Sequence, residues 1–188
     1  MGHEVHMLEG FVLDSREHGE SGRILSILTK ELGIIRVVAT GVRELKSKMR
    51  GSISTLQIVT FEYVEGKEVN RLTGIHEKEK IENVFSIPKR RVLSNIVNFI
   101  LRTVLGEAAN EKLYESLILG IEELSKSEES KLKALEVIWL IKILVALGYW
   151  ETGRCDNFDD DTYKMLEDSK QSASITEEIN KAIRSTHL

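Results

Sequence analysis

The chain has 188 residues, of which 41% are hydrophobic and 30% charged, and its formal net charge is −4. That composition excludes a disordered tail and gives enough length to bury a core in one domain or two small ones. The acidic balance excludes a globally basic binder, so a nucleic acid would have to meet a local patch of positive charge.

The single cysteine, Cys155, excludes an internal disulfide and points to a reducing compartment, taken as cytoplasmic. No basic start leads into an apolar segment, so no signal peptide is expected. The longest apolar run, Leu135 to Leu147, is too short for a bilayer and holds Glu136 and Lys142. Residues 1–6 precede Met7, which can serve as a natural start, and are set aside.

Taken in order, the first half predicts five short strands. Leu8 to Asp14 is apolar and is followed by the polar loop SREHGESG; Arg23 to Lys30 alternates Ile and Leu with small hydroxyls. Glu31, Leu32 and Gly33 supply a tight turn into Ile34 to Thr40, whose alternation sets Ile35, Val37 and Ala39 opposite Arg36, Val38 and Thr40. After a long connection, Leu56 to Glu65 groups Val59, Phe61 and Tyr63 on one face, and Val69 to Ile75 closes the set. Five strands with the long connection between the third and fourth fit an OB-type β-barrel.

The period changes at Pro88, the only proline in the chain. Lys89 to Leu105 carries a core-facing stripe through Val92, Leu93, Ile96, Val97 and Ile100. Asn110 is placed to cap a second helix with Leu113, Leu117, Ile121 and Leu124 on one side. Ser125 and Glu128 read as a capping box for a third helix running to Leu147, apolar nearly all round and stopped by Gly148. A last helix is expected from Thr176 through Ile179 and Ile183. The expected architecture is therefore α+β and multidomain: a five-stranded OB-type barrel over residues 7–80, then a helical bundle over 86–188.

The connection carries the strongest chemical signal. From Arg36 to Arg50, five basic residues (Arg36, Arg43, Lys46, Lys48, Arg50) stand against Glu44 alone, a local balance of +4. Gly51, Ser47, Ser52 and Ser54 are interleaved, and small residues let a backbone approach another backbone while the cations meet phosphate oxygens. A solvated, charge-rich loop accounts for the same composition. Lys89, Arg90 and Arg91 either extend the basic track or simply open a helix, where cations are disfavoured. Tyr63 is read as packing in preference to a base-stacking platform.

Several short motifs in order then carry a resemblance. Gly19-Glu20, Thr29-x-Glu31-x-Gly33, Ala39-x-Gly41-x-Arg43 and Lys46-Ser47-x-x-Arg50-Gly51 resemble the opening domain of the bacterial RecO recombination-mediator (DNA repair) family. The ALGYW segment before Cys155 and the stretch from Ile179 to Leu188 are also similar to it. The resemblance implies an OB-fold that binds single- and double-stranded DNA without reading sequence, anneals complementary strands and helps load recombinase. It implies a RecR-like partner and the C-terminal tail of single-strand-binding protein as further contacts. The expected DNA-binding residues are Arg36, Arg43, Lys46, Lys48 and Arg50, with Arg23 and Arg71 on adjoining strands.

Two departures stand out. Thr40 occupies a position where many relatives carry lysine. Long members carry a four-cysteine zinc module after the Gly-Tyr segment, whereas Cys155 stands alone here, so a short form without metal or cofactor is expected. The run Asp159 to Asp161 lacks the order of a calcium loop and reads as a solvated acidic turn. Arg102, Lys133 and Lys142 are read as snorkelling cations on apolar helices. With no GxxxxGK[ST] loop and no GxSxG elbow, no enzyme is expected. An OB-fold RNA-binding accessory factor and a RecO-like protein–protein adaptor without DNA affinity remain the alternatives.

Overall fold

The computed structural model describes residues 4–42, 53–67, 69–81, 85–104, 108–153 and 155–185. Five strands, β1 (Val5–His18), β2 (Gly22–Thr29), β3 (Gly33–Ala39), β4 (Gln57–Val64) and β5 (Asn70–Lys80), form a closed barrel in the order β1-β2-β3-β5-β4. The first half of β1 pairs with β4 (Val5 with Val64 through Phe11 with Ile58), and its second half pairs with β2 (Gly10 with Thr29 through His18 with Gly22). A register shift between Val12 and Asp14 marks the changeover, the kind of irregularity that bends a strand around a barrel. The lone parallel contact, Val37 with Asn70 and Val38 with Arg71, joins β3 to β5 and completes the OB order.

The interior follows the alternation read from sequence. Ile35, Val37 and Ala39 of β3 and Val59, Phe61 and Tyr63 of β4 belong to one buried cluster. Tyr63 is 3% exposed, its ring stacked 5.9 Å from Phe61 and 5.2 Å from His6. It is core and offers no face to a base. His6 and Val5 also correct the setting aside of residues 1–6, because β1 starts at Val5 and pairs with the end of β4.

The Thr-x-Glu-x-Gly motif has a local reason. Thr29 is buried, donates from Oγ1 to the Gly33 carbonyl at 3.0 Å and accepts from the Leu32 amide at 3.1 Å, closing the β2–β3 turn. Gly33 sits at φ +70°, and a Cβ there would run into the Ala108 carbonyl, so both conformation and space demand glycine.

The chain divides into two compact units, Met1–Val84 with Gly106–Glu111, and Phe85–Leu105 with Lys112–Leu188. The second is helical: α1 (Ile87–Thr103), α2 (Glu111–Lys126), α3 (Leu132–Ala146), α4 (Asp160–Glu167) and α5 (Ser169–Ser185). α1 starts after Ser86 with Pro88 in its first positions and buries Val92, Leu93, Ile96, Val97 and Ile100, the stripe expected. α3 packs against α1, α4 and α5, and buries residues all round its axis. Its Trp139 lies over α2, with Nε1 donating to the Ser116 carbonyl at 3.0 Å. Gly120 makes the room, since a Cβ there would overlap the indole.

Three readings of this half are corrected. Ser125 does not open α3: it lies inside α2 and donates to the Glu122 carbonyl at 2.7 Å, while a single 3₁₀ turn, Glu129–Lys131, leads into Leu132. The acidic run starts a helix, α4, because the Asp159 carboxylate accepts from the Thr162 amide at 2.8 Å. α5 begins well before Thr176, where Asp168 accepts from the amides of Lys170 and Gln171 at 2.8 and 3.2 Å. Among the described residues no helix is long and apolar enough to cross a membrane.

Candidate nucleic-acid interface

The basic connection leaves and re-enters the barrel at anchored points. β3 ends on buried Ala39, and Val42 is buried in the same barrel cluster against which Ile53 packs. On the return, Leu56 holds φ 58°, a strained value for a bulky residue, while its amide donates to the Val12 carbonyl at 2.9 Å. Fully buried Gln57 accepts from the Ser54 hydroxyl at 2.9 Å. Arg43, Lys46, Lys48 and Arg50 lie outside the described residues; their flanks, Val42 and Ile53, are fixed to the barrel core.

Arg36 and Arg71 are exposed on the outer wall. Arg36 stands opposite Ser26, and Arg71 opposite Val38, two residues along β3 from Arg36. Strand rise and spacing put their Cα atoms roughly 8 Å apart on one face, within joint reach of a single phosphodiester segment. Neither makes an ion pair or hydrogen bond among the described residues, whereas other barrel cations do. Arg16 pairs with Asp14 at 2.6 Å, Lys30 with Glu111 at 2.6 Å, and Lys78 with Glu9. Among the described side chains of β3 and β5, Arg36 and Arg71 are the cations for which no ion pair is formed.

Arg23 is placed differently. Its register partner is Ala39, a core residue, so it faces the inward side at the end of the barrel from which the connection departs. Its Nε donates to the Ser15 hydroxyl at 2.7 Å and its Nη2 to the Ser15 carbonyl at 3.1 Å. Of the arginines expected to bind DNA, the described ones therefore form a wall pair, Arg36 and Arg71, and a separate rim residue, Arg23. Sequence pattern alone missed Ser15, although a serine eight positions before an arginine across a hairpin is a signal that register would have exposed.

In the helical unit Lys89 donates to the Ser125 carbonyl at 2.9 Å, and so serves the end of α2. Lys142 does more than reach solvent: it donates to the Asp156 carbonyl at 2.6 Å and lies over the Phe158 ring at 5.4 Å, fastening the turn after α3. A groove of about 890 Å³ runs beside α5, where Lys133, Lys181 and Arg184 flank Val137 and Leu166, with Glu167 and Glu177 also at its edge. Among the described residues no group of three or more His, Cys, Asp or Glu side chains is placed to hold a metal ion.

A closed five-stranded barrel of this strand order, with a cation-rich connection between its third and fourth strands and a helical unit behind it in sequence, defines an OB-fold protein of the multidomain kind. Residues 4–81 match the family described as Recombination protein O N terminal. The chain is 31% identical over 137 residues to the DNA repair protein RecO of Dehalococcoides mccartyi strain CBDB1, covering 70% of this chain and 51% of that protein. It is 24% identical over 145 residues to the DNA repair protein RecO of Rubrobacter xylanophilus (77% and 58% covered) and 26% over 140 residues to that of Alkaliphilus metalliredigens (74% and 57%). The chain belongs to the RecO family, and it spans about half the length of the curated relatives it matches.

Proposed function

We propose that the chain is a DNA repair and recombination mediator that binds single- and double-stranded DNA without sequence specificity, anneals complementary strands and helps load recombinase. It works in the cytoplasm and without covalent chemistry. The barrel, read from sequence as residues 7–80 and including Val5 and His6 of β1, is the DNA-binding domain, and residues 86–188 are the helical domain. The observation that carries this reading is the pair Arg36 and Arg71, exposed on one wall of a RecO barrel and unpaired among the described residues. With Arg43, Lys46, Lys48 and Arg50 on the adjoining connection, they would neutralise successive phosphates and release condensed counterions. That mechanism needs no base contact, as annealing of arbitrary sequences requires.

Partners follow the same reading: a RecR-like protein and the C-terminal tail of single-strand-binding protein. The groove beside α5 suits an acidic, hydrophobic tail, because Lys133, Lys181 and Arg184 border its apolar floor.

The test is single-stranded DNA titration and strand annealing across a salt series, comparing the natural chain with one carrying Glu at positions 43, 46, 48 and 50. The reversed variant is expected to lose at least ~10-fold in affinity at low salt, with a flatter salt dependence. Equal, weak binding by both would favour the adaptor, and retained binding to RNA with no annealing of DNA would favour the RNA accessory factor.

A further inference from the structure

We infer that Ser15 is a positioning residue for DNA binding, holding the Arg23 guanidinium at the barrel rim as a preset phosphate clamp. The inference rests on the DNA-binding reading above and adds a residue to it. Two features of the hairpin produce the arrangement. Ser15 follows the register shift in β1 and faces inward beside Leu25, two register pairs further into the barrel than Arg23. Arg23 therefore folds back along the hairpin, and one edge of its guanidinium meets both the hydroxyl and the carbonyl of the same serine, at 2.7 and 3.1 Å.

That tether has a direction. A guanidinium carries N–H donors on several edges in a rigid plane, so binding one edge to neutral oxygens fixes the others without cancelling the charge. Arg16, a few residues away on β1, shows the contrast: its Nε is taken by the Asp14 carboxylate at 2.6 Å, and its charge is matched. Arg23 makes no ion pair among the described residues, although Glu17 is its cross-strand neighbour. Its other neighbour, Ala39, leads through Gly41 and Val42 into the basic connection, so Arg23 belongs to the strand pair from which that segment departs. Presetting a long side chain removes part of the ordering cost that a phosphate contact otherwise carries.

The experiment is a double-mutant cycle on single-stranded DNA binding with Ser15→Ala, Arg23→Ala and the double variant, together with Ser15→Thr, in a salt series. Arg23→Ala is expected to lower the magnitude of the salt slope by ~0.7, the value for one phosphate contact on a single strand. Ser15→Ala is expected to weaken affinity ~3-fold, an ordering loss, with the slope almost unchanged because the charge remains. It should have no further effect once Arg23 is gone, and Ser15→Thr should restore affinity. A purely structural serine would weaken binding equally in both backgrounds, and that result overturns the inference. So does an Arg23→Ala variant that binds like the natural chain while the connection variant described above is impaired; in that case the DNA-binding reading stands and the clamp falls. If the connection variant and Arg23→Ala both bind like the natural chain, the DNA-binding reading itself fails and the clamp falls with it.

Discussion

The barrel and the helical unit are held by different kinds of determinant. In the barrel, the defining residues follow local patterns: Thr29 closes its own turn, Gly33 supplies that turn's positive φ while also meeting the distant Ala108 carbonyl, and alternate residues of β3 and β4 fill the interior. In the helical unit, the tightest constraint joins residues far apart, where Trp139 of α3 sits on the backbone of α2 at Gly120. Local rules make a unit readable and tolerant of surface change. A tertiary coincidence of one glycine under one indole makes a unit sensitive at a place that no local rule marks.

The comparison can be broken by experiment, because both tryptophans, Trp139 and Trp150, belong to the helical unit. Indole fluorescence therefore reports that unit alone, and DNA binding, on the function proposed above, reports the barrel. The largest effect is expected from Phe61→Ala, which empties the middle of a fully buried barrel cluster and should cost about 3–5 kcal/mol. DNA binding should be lost near room temperature while the fluorescence transition stays close to its natural midpoint. Gly120→Ala comes next. Alanine favours a helix by about 1 kcal/mol over glycine, yet the new methyl must displace a buried indole, at a cost of about 1–3 kcal/mol or more. The fluorescence transition should move to lower denaturant with DNA affinity unchanged. If either substitution shifts both readouts together, the two units share one cooperative transition and the contrast drawn above is wrong.

How far the sequence could be read follows the same division. The presence of five strands, the alternating faces of β3 and β4, the OB-type barrel and the α1 stripe were legible, because period and turn chemistry are local. Strand ends were not. β1 continues to His18 and β5 to Lys80 through stretches rich in charge, since a two-stranded extension can be polar on both faces and leaves no hydrophobic alternation to see. In the second half, α4 and the start of α5 were hidden because their apolar content is low and their starts are set by Asp159 and Asp168. Ser125 misled for the opposite reason: the capping-box spacing to Glu128 starts inside the last turn of α2, where the Ser125 hydroxyl turns back to the Glu122 carbonyl. Of the candidate site, the cations were legible as charge, and the division into wall and rim was not. It depends on which face each strand position takes once β3 has paired with both β2 and β5.

The smallest expected effect sharpens the comparison through pH. Asp159 holds its carboxylate below the ordinary value of 3.8, chiefly through the hydrogen bond from the Thr162 amide, with the helix end behind it. A depressed carboxylate pKa stabilises the fold above the unfolded-state value, and that contribution is lost as pH falls through the folded-state value. The fluorescence transition of the helical unit should therefore weaken on acidification from about pH 5 towards pH 3. Asp159→Asn keeps an acceptor for the Thr162 amide but removes the titrating charge. Its transition should consequently be the less pH-dependent of the two across that window, and added salt should narrow the difference, because the group is fully open to solvent. A variant that retains the whole acid dependence of the natural chain would show that other carboxylates, and not the α4 cap, carry it.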